Sequence, residues 1–127
     1  MSNSKDMNAL ADRIMRAIEQ SDVETITICY APDARIWHNF DGKEQSVEEN
    51  LRTIRWIDKR LKNRKYQIVS RYAFDGGYVQ QHVLTGTLNN GQAFSMPACL
   101  IVTVRDGRIA RLEEYLDSAH IQPLRIA

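Results

Sequence analysis

The stretch YVQQHVLTGTLNNGQAFSMPACLIVTVRDGRIARLEEYLD, Tyr78 to Asp117, decides the fold. Two turn signals, Asn90-Gly91 and Asp106-Gly107, separate runs rich in β-branched and apolar residues. Such pairs supply the positive φ angles that tight hairpins need. The stretch therefore reads as three antiparallel strands, Tyr78 to Asn89, Gln92 to Val104 and Arg108 to Asp117. Upstream, Tyr66 to Phe74 reads as another strand, ended by Asp75-Gly76-Gly77.

Alternation along these strands assigns their faces. Met96, Ala98, Leu100, Val102 and Val104 form the more apolar set and are expected inside. Taking Asn90-Gly91 as a two-residue turn pairs Asn89 with Gln92. Leu100 then opposes Gln81, Ala98 opposes Val83, and Met96 opposes Thr85. Opposed residues share a sheet face, so Gln81, Val83 and Thr85 are expected inside and His82 outside. In the last strand Leu112, Glu114 and Leu116 form the inward set. Glu113 and Tyr115 point outward, and Asp117 is expected to cap a terminal helical turn within Ser118 to Leu124.

The residues before the sheet are helical, apart from one short strand. Met7, Leu10, Ala11, Ile14 and Ile18 recur at helical spacing after Asp6. Ser21-Asp22 ends that helix and caps a second, through Val23, Ile26 and Tyr30, which Pro32-Asp33 breaks. Ala34 to His38 reads as a short strand, with Ile36 and His38 on one face and Trp37 on the other. Asn39 to Gly42 reads as a turn. Ser46-Val-Glu-Glu49 is a capping box that opens a third helix, with Val47, Leu51, Ile54, Ile57 and Leu61 turned inward. The class is α+β: helices against the concave face of a curved antiparallel sheet.

At 127 residues the chain is expected to form one domain, residues 1–127, with a single core. Its 17 basic and 16 acidic residues nearly cancel. The densest basic run, Arg52 to Lys65, reads as a solvated helix face and its exit loop, so no nucleic acid is expected as a partner. No apolar run is long enough to span a membrane. The polar start Met1 to Asp6 lacks a signal-peptide core, and a cytoplasmic protein is expected. Cys29 and Cys99 read as reduced, buried thiols. The three histidines show no ligand spacing, so neither a metal nor a cofactor is expected.

Two segments carry a resemblance. Tyr30-Ala-Pro-Asp-Ala34 leads into Arg35-Ile-Trp-His-Asn39, and Asp106-Gly-Arg-Ile109 leads into Glu113-Glu-Tyr-Leu-Asp117. Together with the element order, the chain resembles the nuclear transport factor 2-like superfamily. More narrowly, it is similar to the SnoaL-like and ketosteroid isomerase-like branch. The resemblance implies a cone-shaped sheet wrapped around N-terminal helices, a cystatin-like α+β barrel with a pocket between them. It also implies a homodimer through the outer sheet face.

The resemblance constrains mechanism mostly by what is missing. Ketosteroid isomerase pairs an aspartate base with a tyrosine and a protonated aspartate. Those positions fall on His38, Ile14 and Leu100 (Cys99 if the hairpin shifts by one). In limonene epoxide hydrolase, a relative, the arginine and two aspartates fall on Gln81, Val83 and Glu114. Its tyrosine falls on Ile36 and its asparagine on His38. Neither constellation is intact. The residues therefore point to His38 and Glu114 as a candidate catalytic pair. Gln81, Ile14, Ile36, Trp56, Val83, Leu100 and Leu116 are the expected substrate-binding wall. The expected ligand is a small, largely apolar organic molecule. The expected chemistry is cofactor-independent isomerisation, cyclisation or hydration, or ligand binding without catalysis.

Overall fold

In the computed structural model, which describes residues 4–126, the chain is α+β. The amphipathic helix α1 (Ser4–Glu19) buries Met7, Ala11, Ile14, Met15 and Ile18. Asp22 caps α2 (Val23–Cys29) by accepting from the Thr25 amide. Strand β1 (Tyr30–His38) follows directly, four residues earlier than its expected start at Ala34. Pro32 has no N–H to donate, and the pairing of β1 skips from Tyr30 to Arg35 around it. A two-residue strand, β2 (Glu44–Gln45), then pairs with β1. The capping box of Ser46 and Glu49 opens α3 (Val47–Asp58).

Four long strands complete the sheet: β3 (Leu61–Phe74), β4 (Gly77–Leu88), β5 (Ala93–Arg105) and β6 (Arg108–Leu116). Strand β3 starts at Leu61, not Tyr66. Asn63, at φ 56°, lies where the ladder shifts register, and neighbouring Arg64 is buried. That interruption hides the strand period from the sequence. Cys99 is half-buried on the outer face, whereas Cys29 lies in the core.

The spatial order β2-β1-β6-β5-β4-β3 leaves the curved sheet unclosed. It is also mixed, correcting the expectation of a purely antiparallel sheet: β1 runs parallel to β6. The consecutive hairpins are antiparallel, but β1 joins β6 across most of the chain, and no turn signal announces such a pairing.

The hairpin between β4 and β5 carries the second correction. Leu88 donates to Gln92 O and Gly91 donates back to Leu88 O, both at 2.9 Å. The loop is thus Asn89-Asn90-Gly91, with Gly91 at φ 87°, the three-residue form that needs glycine in the left-handed region. Leu100 opposes Gln80, Ala98 opposes His82, and Met96 opposes Leu84. A slip of one residue exchanges the faces of a whole strand. Gln80, His82 and Leu84 therefore face inward, while Gln81 and Val83 face outward. By contrast, Asp106-Gly107 forms the expected two-residue turn, both residues at positive φ.

The concave face and helices share one core, and a second apolar cluster lies beneath the C-terminus. There Ile121 and Leu124, from a 3-10 turn (Ser118–Ile121) and α4 (Gln122–Arg125), pack with Leu61, Leu84, Phe94 and Met96. Asp117 caps this segment through the Ala119 amide. No helix among the described residues is long and apolar enough to cross a membrane. The start of the polar Met1 to Asp6 segment, residues 1–3, lies outside the described residues, as does Ala127.

Arg64 holds the helices to β3. Its guanidinium, 2 % exposed, donates to Ile18 O at 2.6 Å and Ser21 Oγ at 2.7 Å, and pairs with Asp58 at 3.3 Å. Removing a donor from buried acceptors costs more than a surface bond contributes. Arg64→Ala is expected to lower the unfolding free energy by about 3 kcal/mol. Loss of the α3 cap in Ser46→Ala should cost about 1 kcal/mol. Urea denaturation of both variants measures this, and a smaller loss for Arg64→Ala than for Ser46→Ala would refute it.

Candidate active site

His38 ends β1 and Glu114 lies near the end of β6. Parallel pairing makes them direct neighbours on the concave face, with Ile36 beside Leu112 two residues earlier along each strand. Asn39 clamps this end of the ladder. Its amide donates to Glu114 O at 3.0 Å, and its side-chain oxygen accepts from the Leu116 amide at 3.0 Å. With both backbones held, His38 Nε2 and Glu114 Oε1 stand 3.1 Å apart. Their side chains are only 11 % and 17 % exposed, and the Phe40 ring leans on the imidazole.

Two chambers meet at this pair. The inner one, about 70 Å³, lies between β1, β6 and the helices and is lined by Ile36, Leu100, Tyr30, Tyr66 and His82. The outer one, about 280 Å³, is lined by Trp56, Met96, Leu116, Ile121 and Leu124. His38, Glu114, Thr53 and Ile57 border both chambers, so the pair stands at the neck between them.

Burial acts against charge on His38, but the hydrogen bond to Glu114 and that carboxylate's negative charge outweigh it. The imidazole pKa is therefore raised above its usual 6.5. Burial, reinforced by nearby negative charge including that of Glu114, pushes the Tyr30 hydroxyl up. Burial and the same carboxylate push Tyr66 up as well. Both phenols therefore stay protonated and can donate. His82 moves the opposite way from His38: burial pushes its pKa down, and the charge of Glu114 only partly offsets this.

The sequence-predicted residues divide by location. His38 and Glu114 come together; Ile36 and Leu100 line the inner chamber, and Trp56 and Leu116 the outer. Gln81 and Val83 do not reach either. With the hairpin register corrected, they line a hollow on the outer sheet face with Pro97, Cys99 and Tyr115. Ile14 also lines neither chamber, being fully buried in the core; Met15 and Ile18 present the wall from α1 instead. Arg111, on the same strand as Glu114, pairs instead with Glu113 and with Glu44.

Several polar wall residues escaped the sequence reading. Asn50 and Thr53 sit at the inward spacing of Ile54 and Ile57 on α3, a detectable signal. Asn50 donates to Gln45 Oε1 at 3.2 Å, and the Gln45 amide donates to Thr53 Oγ1 at 3.0 Å. Tyr30 opens β1 rather than extending α2, and with Tyr66 it lines the inner chamber. Gln80 and His82 were lost with the hairpin register. Among the described residues, no group of three or more His, Cys, Asp or Glu side chains could hold a metal ion.

The SnoaL-like domain profile matches residues 11–112. The chain belongs to the SnoaL-like domain family. No curated protein matches the chain. Solved structures share its fold at low identity. AclR, a putative hydroxylase from Streptomyces galilaeus, superposes with a TM-score of 0.85 at 15 % identity, covering 98 % of this chain and 99 % of that one. IdmH, a putative polyketide cyclase from Streptomyces antibioticus, gives 0.82 at 18 %, covering 94 % and 98 %. A hypothetical protein with a ketosteroid isomerase-like fold from Catenulispora acidiphila, solved with trimethylamine, gives 0.74 at 15 %, covering 84 % and 83 %. The SnoaL-like chain thus has the nuclear transport factor 2-like fold, with the His38–Glu114 pair in its cone.

The raised His38 pKa has a measurable sign. Its NMR titration midpoint should lie above 6.5, and Glu114→Gln should lower it, because burial is then opposed only by the charge of Asp41. A group whose folded pKa is raised stabilises the fold fully below its unfolded pKa and loses that contribution as pH rises through the folded value. The stability gap between wild type and Glu114→Gln should therefore be widest below about pH 6.5 and narrow above the native midpoint. A midpoint unmoved by Glu114→Gln would contradict the assignment.

Proposed function

We propose that this SnoaL-like domain binds a small, largely apolar organic molecule and performs cofactor-independent acid/base chemistry on it. The observation that carries this reading is the His38 Nε2–Glu114 Oε1 approach at 3.1 Å at the neck of an apolar cavity. A carboxylate bonded to an imidazole orients the ring and stabilises its charged form. Such a pair can take a proton from a substrate C–H or from water and return it to another substrate atom. Isomerisation moves a proton between two carbons, cyclisation forms a C–C bond as the carbonyl oxygen takes the proton, and hydration adds water to the substrate. None changes the overall oxidation level, so no electron acceptor enters the balance. Two structural neighbours, a putative polyketide cyclase and a putative hydroxylase, agree with a small-molecule enzyme in this cone. Fold alone does not select the reaction.

A second reading is a non-catalytic dimeric domain that uses the same cavity for binding. It is favoured by apolar side chains on the sheet's outer face: Tyr72 is 69 % exposed and Tyr115 42 % exposed. Large exposed apolar groups in one region favour association.

A reactivity screen of β,γ-unsaturated ketones, epoxides and methyl-ketone chains, read by NMR, separates the two. On a substrate that turns over, His38→Ala and Glu114→Gln should each reduce kcat/KM by about 100-fold or more. A compound bound equally by all three proteins, and converted by none, would sink the enzymatic reading and leave the binding one.

A further inference from the structure

Opposite the His38–Glu114 pair, a second polar chain runs from the surface into the inner chamber. Asp12 on α1 accepts from Arg71 Nη1 at 2.8 Å. Arg71, with a side chain 10 % exposed, donates through Nε at 2.9 Å and Nη2 at 2.7 Å to Gln80 Oε1. Gln80 is completely buried, and its Nε2 lies 2.9 Å from His82 Nδ1. His82 is 2 % exposed, its ring set edge-on to Tyr66 at 5.0 Å, and it lines the inner chamber.

The proton positions in this chain follow from donor and acceptor chemistry. A guanidinium only donates, so the Gln80 atom that receives two bonds from Arg71 is its carbonyl oxygen. The other end of that amide is then the NH₂ group, which also only donates. His82 Nδ1 must therefore be the unprotonated acceptor, and the ring proton must sit on Nε2. Protonating Nδ1 would set two donors face to face. Reversing the amide to relieve that would turn its NH₂ onto Arg71. Among the described residues, His82 Nε2 has no hydrogen-bond partner of its own.

We infer that Asp12, Arg71 and Gln80 are positioning residues that lock His82 as the neutral Nε2–H tautomer, and that this N–H is a fixed donor for an acceptor oxygen of the ligand, a carbonyl group, in the inner chamber. The inference deepens the proposed function by giving the ligand a polar end and an orientation. The inner chamber takes the carbonyl, where the protonated Tyr30 and Tyr66 also line the wall; the outer chamber takes the apolar body. A donor that needs no reorientation is the kind of group that stabilises oxygen gaining negative charge. Burial lowers the His82 pKa, in keeping with a ring that stays neutral.

The test needs no turnover, so it can fail independently of the enzymatic reading. In full-length protein labelled with ¹⁵N-histidine, two-bond NMR correlations should show His82 with a bare Nδ1 and a protonated Nε2, including at pH values where His38 is charged. Gln80→Glu keeps the acceptor for Arg71 but turns an accepting oxygen toward His82, so it should move the proton to Nδ1. The probes are 1-indanone and its oxygen-free counterpart indane. Wild type should bind the ketone more tightly; Gln80→Glu and His82→Phe should each weaken it by about tenfold while changing indane about twofold or less. His82→Phe keeps an aromatic ring in place, so a lost fold in one variant does not remove the other. A protonated Nδ1 in wild type, indane bound as well as the ketone, or no binding of either probe would overturn the inference.

Discussion

The parallel pairing of β1 with β6 is the constraint on which the site depends. It sets the Cα atoms of His38 and Glu114 opposite each other, and both side chains leave the sheet on the concave face. Helix α3 lies between these strands in the chain, so the pairing closes a long loop. Asn39 secures its end by supplying one more rung and then accepting from Leu116. A shift of one residue along this ladder would turn either the imidazole or the carboxylate out of the cavity. The His38–Glu114 approach therefore rests on backbone hydrogen bonds whose register side-chain identity alone does not specify.

The concave face is mostly apolar, which sets the terms for every polar group placed there. An unpaired polar group in such surroundings is costly. The fold answers with chains of donors and acceptors, though the buried Tyr78 hydroxyl and Arg60 Nε stay without partners among the described residues. Arg64 satisfies carbonyl groups where α1 and α3 end; Gln45 links Asn50 and Thr53; Arg71 and Gln80 carry hydrogen bonds to His82. The Arg64 bond to Ile18 O joins residues 46 apart, and the others link elements adjacent in the chain or, for Gln80 and His82, residues of one strand. These polar groups help fix how helices and sheet dock while apolar burial supplies the driving force. Tyr30, Tyr66 and His82 line the inner chamber, while the unpartnered Tyr78 hydroxyl lies away from it.

Local signals made much of this legible. The capping box of Ser46, the Asp106-Gly107 turn and the alternation of Met96, Ala98 and Leu100 each depend on neighbours in sequence, and each appears as read. Glu114 was recognisable because Leu112 and Leu116 flank it on the same face. Register was not legible. Asn89-Asn90-Gly91 accommodates a two- or a three-residue loop, and the choice exchanges Gln81 and Val83 for Gln80 and His82. On β4 both faces carry apolar and polar side chains, so its own pattern does not decide between them. The parallel β1–β6 pairing and the bulge at Asn63 were hidden for a related reason: each is set by tertiary packing rather than by residues in sequence contact.

The corrected register leaves two histidines around one cavity, and their surroundings divide them. His38 meets a carboxylate, which favours its cation and raises its pKa despite burial. His82 meets an amide donor that occupies its lone pair, while burial lowers its pKa. Pairs of titratable groups driven apart in this way are how one site holds a proton carrier and a neutral donor at the same pH. Glu114 acts on both rings, in hydrogen-bond contact with His38 and through its charge alone on His82. Neutralising Glu114 would thus withdraw support for the His38 cation and, at the same time, make His82 still harder to protonate. The difference between the two histidines is built into the partners on β4 and β6, and both sets of partners are positioned by sheet register.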